Sequence, residues 1–388
     1  MVETLHIEIL TDWREAAALE KEWNDLWARS PVRTPFHTFE WMSCWYQAFC
    51  APGALRLILV RDGERLRALL PGMLMKRRLG GLSLNSFCYA GTGQTPQCGV
   101  LAGVGDAASI RAALRAVAQV PGGPVDLVVL PDIEVDSPTW SVLTDQFHPQ
   151  FFVYAENAYQ DYVYRLPGGS WEGYLASKSS DFRKRMRKSI AAAQAFGPLE
   201  MTEFQAGRDL GECLPRLQAL DARTWQGQVQ RGVLPDGVHL DFYRKLSQIK
   251  SERLHFLVFL LSLGGTDVAF LTAAYAGHTA FLRKTGYDAE FKEARPGLLI
   301  HALLTERLAG RGVSEFALGP DETELKLRLE THRCRYESFW VVNRETVRGR
   351  ALLAEFKAQR LLKTFWGARD ENAPRAETST GVKPISTL

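Results

Sequence analysis

Arg295, Pro296 and Gly297 stand directly in front of a run with helical periodicity, Leu298 to Ala309, and just behind a strand pattern that ends near Tyr287. Proline at a helix start gives up no needed hydrogen bond, and glycine lets a ligand approach the backbone closely. The first turn of such a helix offers unpaired N–H groups and the positive end of the helix dipole, which together bind anions such as phosphate. Arg295 adds a cation for a charge-assisted contact. His37, in TPFHTFEW, is a polar residue among aromatics. It suits a base, an acceptor contact or a core imidazole with a satisfied hydrogen bond. Cys88, in SFCYAGTGQTPQCG, raises transfer through an acyl-cysteine, although no histidine lies near it in sequence. Gly91 to Thr95 after it reads as a plain turn rather than as polar substrate recognition. The run KSSDFRKRMRK, Lys178 to Lys188, carries six cations and one anion. Such a run is ordinarily a solvated helix face. As a landing patch for an anionic partner it would capture more than hold, because salt screens exposed charge over about 8 Å.

These groups need scaffolds, and 388 residues make two domains the natural expectation. A net charge of only +3 marks no global field for nucleic acid. The six cysteines form no CxxC pair, so a zinc site is not expected and buried free thiols in a reducing compartment are. The first sixteen residues lack the pattern of a secretory signal, and the most apolar run, Leu254 to Leu263, is far short of the roughly 20 residues of a spanning helix. A cytoplasmic protein is expected, with peripheral contact to the inner membrane face left open.

Leu5 to Leu10 alternates as an edge strand, and Asp12 precedes a helical run through Trp23 and Trp27. A second helix is crowded by Phe39, Trp41, Trp45 and Phe49. Leu55–Val60, Arg67–Met75 and Leu82–Tyr89 read as strands, Ala108–Val117 as a helix, and Val125–Leu130 as a buried strand. The order then returns. Trp171–Phe196, Leu210–Gln228 and Asp241–Lys250 read as helices. Leu254–Leu263, Val268–Tyr275 and Thr279–Thr285 read as a meander, Leu298–Ala309 as a helix, and Val313–Leu318 and Tyr336–Val342 as strands. This is a weak internal duplication, 1–165 and 166–346, followed by a basic helix and a polar tail expected to be disordered, 347–388.

Several stretches together resemble a known family: WMSCWYQAF, FRKRMRKSIAAAQAFG, LDARTWQ, and KTGYDAEFKEARPGLLIHALLTERLAGRGVSEFALGP followed by ETELK. The chain resembles the acetyltransferase-like family labelled for cellulose biosynthesis, within the GNAT acyltransferase superfamily. It is also similar to the peptidoglycan peptidyltransferases built from two GNAT domains. The resemblance spans roughly residues 15–345. It implies an α/β (α+β) fold of two GNAT-like domains, each a mixed, mostly antiparallel sheet flanked by helices. The N-terminal domain would cover 1–165, and the C-terminal one, 166–346, would hold the donor.

The implied activity is N-acyl transfer from an acyl-CoA donor to an amine that attacks directly, with no metal and no nucleic acid. The donor pyrophosphate would sit on Arg295, Pro296, Gly297 and Leu298, with Arg283 and Lys326 as further donor contacts. Backbone N–H groups of the strand Thr279–Thr285 would hold the thioester oxygen. Asp288 is the expected base and Tyr287 the acid, with His37 a candidate from the first domain. Against these stand a turn-forming aspartate, a tyrosine anchored by its ring and, for Lys326, a purely structural role. The family's late strand commonly reads Asp-Phe-Gly-Pro-Gly and then Tyr-Lys; here Ala317 and Leu325 replace the Asp and the Tyr, while Gly319, Pro320 and Lys326 remain.

In the tail, Ala351, Ala354, Ala358, Leu361, Leu362 and Phe365 share one helical face, and Leu353 and Phe356 lie opposite. Membrane-surface contact through 348–369 would favour a long acyl chain and a lipid-like amine such as a sphingoid base. Two other readings remain: a tRNA-dependent aminoacyl transferase of the peptidoglycan type, and a non-catalytic GNAT-like scaffold in envelope polysaccharide assembly.

Overall fold

LHFLVFLLSL and DVAFLTAAYA are apolar on both faces and are joined by Gly264 and Gly265, at φ +55° and +83°. Only a hairpin between two strands covered on both sides satisfies that pattern. The computed structural model describes residues 5–91, 93–145, 148–229 and 232–367, with side chains up to 358. The first half runs β1 (Leu5–Leu10), α1 (Trp13–Ala17), α2 (Glu20–Arg29), α3 (Phe39–Phe49), β2 (Leu57–Asp62), β3 (Arg65–Leu70), β4 (Gly72–Leu79), β5 (Leu82–Tyr89), β6 (Leu101–Ala102), α4 (Ala107–Ala116), β7 (Leu127–Glu134), α5 (Pro138–Thr144) and β8 (Phe151–Arg165). The second runs α6 (Trp171–Ser177), α7 (Ser180–Gln194), β9 (Leu199–Gln205), α8 (Leu210–Asp221), α9 (Trp225–Gln228), α10 (Gly237–Ser247), β10 (His255–Leu263), β11 (Thr266–Ala276), β12 (Thr279–Tyr287), α11 (Pro296–Ala309), β13 (Glu315–Ala317), α12 (Glu324–Leu329), β14 (His332–Asn343) and α13 (Val347–Gly367).

β1, β2, β3 and β6 form a four-stranded sheet. The chain leaves it at Pro71, whose missing N–H breaks the strand expected over Arg67–Met75 into β3 and β4. The other sheet has ten strands in the order β4-β5-β7-β14-β8-β13-β12-β11-β10-β9. Two parallel strand pairs occur in it, β5 with β7 and β12 with β13, and a single α-helix of the described chain longer than one turn, α4 or α11, lies between the partners of each. Each half therefore repeats one unit of antiparallel strands, helix and parallel strand. The halves also exchange their last strands: β14 lies between β7 and β8, and β8 pairs with β13.

β8 and β9 are not legible in the sequence. FFVYAENAYQDYVYR has no clean alternation, and much of its first part is exposed. Its neighbours β14 and β13, 150 residues on or more, hold it extended. The helical run expected through Trp27 divides into α1 and α2, and that expected over Trp171–Phe196 into α6 and α7, at Ser179, which caps the second piece. One apolar core crosses between the halves. Trp41 of α3 packs against Phe36, and against Phe242 and Phe256 of the second half.

Through α13, Leu352 is buried against Leu84, Leu127, Trp340 and Val342, and Phe356 stacks on Trp340 at 5.6 Å. The docked face is thus the one carrying Leu353 and Phe356, while Ala351, Ala354 and Ala358 are exposed. Leu361, Leu362 and Phe365, and the tail 370–388, lie outside the described residues or side chains. Among the described residues no helix is long and apolar enough to cross a membrane.

Candidate active site

β12 pairs with β13 only where Thr279–Phe281 face Glu315–Ala317. Beyond that point β12 continues beside β11 to Tyr287. The chain after β13 instead stays with β8, Leu318 N–H donating to the Tyr162 carbonyl at 2.8 Å. The two strands therefore fork. A bulge widens the fork: between the pairs Ala273–Leu282 and Leu271–Thr285, both Arg283 and Lys284 lie opposite Thr272, and the Lys284 N–H turns to the Thr272 hydroxyl at 3.0 Å. Bulges of this kind re-aim side chains next to sites.

One end of the fork is the Arg295 turn. Arg295 is left-handed, φ +50° and ψ +55°, and α11 begins on it without any side-chain cap. Its carbonyl accepts from the N–H groups of both Leu298 and Leu299. Its guanidinium is exposed and has no hydrogen bond or ion pair among the described residues; the charge acts on Glu324. A Cβ on Gly297 would meet only Tyr287 Cδ1, at 3.8 Å, so the protein leaves that flank open. Pro296 and Leu298 are buried and fix the helix start. Tyr287 is 40% exposed at the rim.

The floor of the fork belongs to both halves. Arg283 donates to the Gln94 carbonyl at 3.1 Å and stands 5.5 Å over the Phe36 ring, both in the first half. Burial lowers its pKa, against the opposing charges of Asp132 and Asp161. Asp132 is itself left-handed at φ +53°, and burial pushes its carboxyl up. Asp161 of β8 is 6% exposed and faces Gly319, whose φ of +85° favours glycine. Gly319 offers its N–H to Asp161, and its carbonyl accepts from Lys326 Nζ at 3.0 Å. Asp161 Oδ1 has no hydrogen-bond partner. Burial raises this carboxyl to about 6 against the pull of Lys326 and Arg283.

In the first half the equivalent fork is filled by its own chain. β5 and β7 pair over Ser86–Cys88 and Leu127–Val129. Farther along β7, Cys98 takes the neighbouring place, its N–H donating to the Asp132 carbonyl at 3.0 Å. Gln97, left-handed at φ +61°, donates from Nε2 to the Tyr336 hydroxyl. The loop read as a plain turn thus holds Arg283 through Gln94, and Gln97 just after it meets Tyr336; Thr92 lies outside the described residues.

Of the groups expected to move protons, Tyr287 stands beside Gly297, and Asp288 and His37 have hydrogen-bond partners of their own. The Asp288 carboxylate accepts from Arg223 Nε at 2.9 Å and from the Glu290 N–H at 3.0 Å, capping the turn that leads to Arg295. Asp288→Asn is expected to weaken CoA binding severalfold by loosening that turn, measured by titration calorimetry beside turnover. Unchanged affinity with lower turnover would return the carboxylate to the proton-transfer role. His37 is buried, its Nδ1 is hydrogen-bonded to Thr34 Oγ1 at 2.8 Å, and burial pushes its pKa down to about 4. It lines a narrow cavity with Gln97, Cys98 and Glu134. The Cys88 thiol is pushed up to about 11 by burial, which removes the thiolate an acyl-cysteine needs. In the basic run, Lys178 donates to the Leu329 and Glu330 carbonyls, Arg183 to three carbonyls of the turn before it, and Arg185 approaches Glu324. Lys184, Arg187 and Lys188 remain exposed. Asp161 and Asp132 escaped the sequence reading. The one available signal was an acid flanked by aromatics, YQDYVY, in a segment whose strand was itself not read.

Residues 180–327 match the family model of the acetyltransferase (GNAT) domain. The matched segment contains the forked strands, the Arg295 turn, Gly319 and Lys326. No curated protein matches the chain. Among solved structures, FemX is 10% identical, with 86% of this chain and 96% of that one covered at a TM-score of 0.58. A conserved protein of unknown function from Bacteroides thetaiotaomicron is 16% identical over 87% of this chain and 100% of that one, TM-score 0.54. The C-terminal domain of a putative lysylphosphatidylglycerol synthetase from Agrobacterium fabrum is 12% identical over 87% and 95%, TM-score 0.53. At these identities the likeness is one of fold.

Proposed function

We propose, from the premise that residues 180–327 belong to the GNAT acetyltransferases and that the chain is an acyltransferase, that the second half binds an acyl-CoA donor and passes its acyl group directly to an amine. The observation that carries this reading is the Arg295 turn: an uncapped helix start, an unpartnered exposed arginine and an open Gly297 flank, all beside the fork of β12 and β13. Oriented backbone N–H groups and a helix N-terminus hold diphosphate without a metal. The acceptor enters from the side where the two halves meet. The exposed apolar residues Trp225, Val229 and Val238 support a long acyl chain and a lipid-like amine such as a sphingoid base. Gln226 Nε2, beside Trp225, donates to the Thr285 carbonyl at 3.4 Å and ties that segment to β12. The outward alanine face of α13 is the surface we assign to the inner membrane leaflet.

The test is the melting temperature with CoA, acetyl-CoA and palmitoyl-CoA. Ligand at a hundred times its dissociation constant stabilises a fold by roughly 2.7 kcal/mol. Arg295→Ala is expected to reduce the shift about tenfold in apparent affinity, the order of one charge-assisted contact. Gly297→Val should abolish the shift while leaving the unliganded melting temperature within about a degree, because its Cβ meets only ordinary contact in the free protein. A shift growing with chain length supports the lipid-like acceptor. A shift with tRNA instead, drawn by Lys184, Arg187 and Lys188, would favour aminoacyl transfer. No shift with either would leave a scaffold.

A further inference from the structure

Asp161 is a carboxylate in the wrong place for a structural residue. It lies on β8, a strand of the first half, yet it faces the fork of the second, across from Gly319 where β13 has left β12. It is 6% exposed, and its Oδ1 has no hydrogen-bond partner. Among the described residues no side chain forms a salt bridge to it within 4 Å, although Lys326 and Arg283 both act on it. Lys326 spends a proton on the Gly319 carbonyl, and Arg283 on the Gln94 carbonyl. A buried carboxylate oxygen left without a donor costs on the order of 1–3 kcal/mol or more, so native proteins keep one only where something else supplies the donor. The groups around it are Glu134 on β7, Tyr159 on the same strand, Cys334 and Tyr336 on β14, Arg283 on β12 and Lys326 on α12. Asp132 stands beyond Tyr159, which faces its carboxyl. The wall thus holds three carboxyls, two cations and two phenols. Both strained non-glycine residues next to it, Gln97 and Asp132, are left-handed, and such strain collects at binding sites.

We propose that Asp161 Oδ1 receives the ammonium of the acceptor amine and removes its proton, so that the exchange of strands between the halves is what brings the base to the donor. This rests on the acyl-transfer reading above and adds to it the residue that receives the acceptor's ammonium. The acceptor is a primary amine with an oxygen on the neighbouring carbon, a hydroxyl or a carboxylate, for which the Arg283 guanidinium supplies donors; among the described residues its one hydrogen bond goes to the Gln94 carbonyl. The step balances as follows. The ammonium gives one proton to the Asp161 carboxylate, and the freed amine attacks the thioester carbonyl carbon, forming the C–N bond. The adduct then collapses with cleavage of the C–S bond. The electron pair leaves on sulfur, which takes the second proton from nitrogen, and Asp161 returns its proton to water. A base with its pKa raised by burial is better matched to an ammonium at neutral pH than an ordinary aspartate.

The experiment uses the full chain with CoA present and three probes: 2-amino-1-decanol, 2-aminodecanoate and 1,2-decanediol. Binding is read by calorimetry at pH 6 in two buffers of different ionisation enthalpy, which counts protons released. The wild type is expected to bind one or both amines and to release a fraction of a proton, as the cation displaces the proton on Asp161; the diol should not bind. Asp161→Asn, which keeps the shape and one accepting oxygen but removes the charge, should weaken the amines at least tenfold and release no proton. The amino alcohol and the amino acid distinguish a hydroxyl from a carboxylate at Arg283. Equal binding by Asp161→Asn, proton release unchanged in it, or no amine bound by the wild type would each overturn the proposal. The CoA melting shift is read on the same samples. If it persists while the amines fail, the acceptor inference falls and the donor reading stands; if it is absent while the amines bind, the reverse holds.

Discussion

Trp41→Ala is expected to destabilise the whole protein by about 3–5 kcal/mol, the range for deleting a buried aromatic, and to do so in one unfolding transition. Trp41 is 1% exposed. Its ring meets Phe36 at 4.9 Å on its own side, and Phe242 at 5.2 Å and Phe256 at 6.0 Å across the divide. Its Nε1 donates to Thr95 Oγ1 at 2.9 Å, which anchors the loop that carries Gln94 under Arg283. Removing the indole therefore opens a cavity shared by both halves and releases the loop that touches the candidate site. Urea unfolding followed by circular dichroism and by tryptophan fluorescence should give coincident curves, shifted together. Two separated transitions, with only the first displaced, would mean that the halves are stable alone and that the exchanged strands β8 and β14 do not bind them into one folding unit.

The second large effect is on acid stability. Burial holds His37 and His301 neutral, each moved from the usual 6.5 down to about 4. A group whose folded pKa is lowered binds its proton in the unfolded chain first. Both rings therefore contribute stability that is present above pH 6.5 and is lost as pH falls toward 4. At about 1.4 kcal/mol per pKa unit, each contributes roughly 3 kcal/mol. Asp161 acts in the opposite sense. Its carboxyl is raised from 3.8 to about 6, so its contribution is present below 3.8 and is lost as pH rises through 6. His301 isolates the effect, because its buried Nδ1 has no hydrogen-bond partner among the described residues. His301→Leu is expected to be near neutral at pH 7 and to remove roughly 3 kcal/mol of the loss between pH 6.5 and 4, measured as urea stability at each pH. A loss of the same size in the variant and the wild type would show that the ring is not held neutral.

How the site divides between sequence and tertiary structure can be read from its residues. The Arg295 turn was legible because it is local: proline, glycine and a helix period within fifteen residues suffice to write it. The same is true of the β10–β11 hairpin, bounded by Gly264 and Gly265 and apolar throughout. The role of Gly319 and Lys326 was half legible. Their presence together could be read, but not that one glycine's N–H and carbonyl serve Asp161 and Lys326 at once. The docked face of α13 was not legible, because alanines mark an apolar stripe in sequence, whereas Phe356 has partners in Trp340 and Tyr154 that only the fold supplies.

By itself the sequence determined the β10–β11 hairpin, α11 and the Arg295 turn before it, since each depends on neighbours within a helix turn or a hairpin. Only the tertiary structure decided where β8 goes, and with it Asp161. A strand exposed along much of one end has no periodic signature of its own, and its conformation comes from ladders to β13 and β14, 150 residues away or more. The floor of the fork is made from two halves of the chain. Loop closure over that distance carries no trace in local composition, because the free energy that selects it is the pairing of two edges and the burial of a shared core.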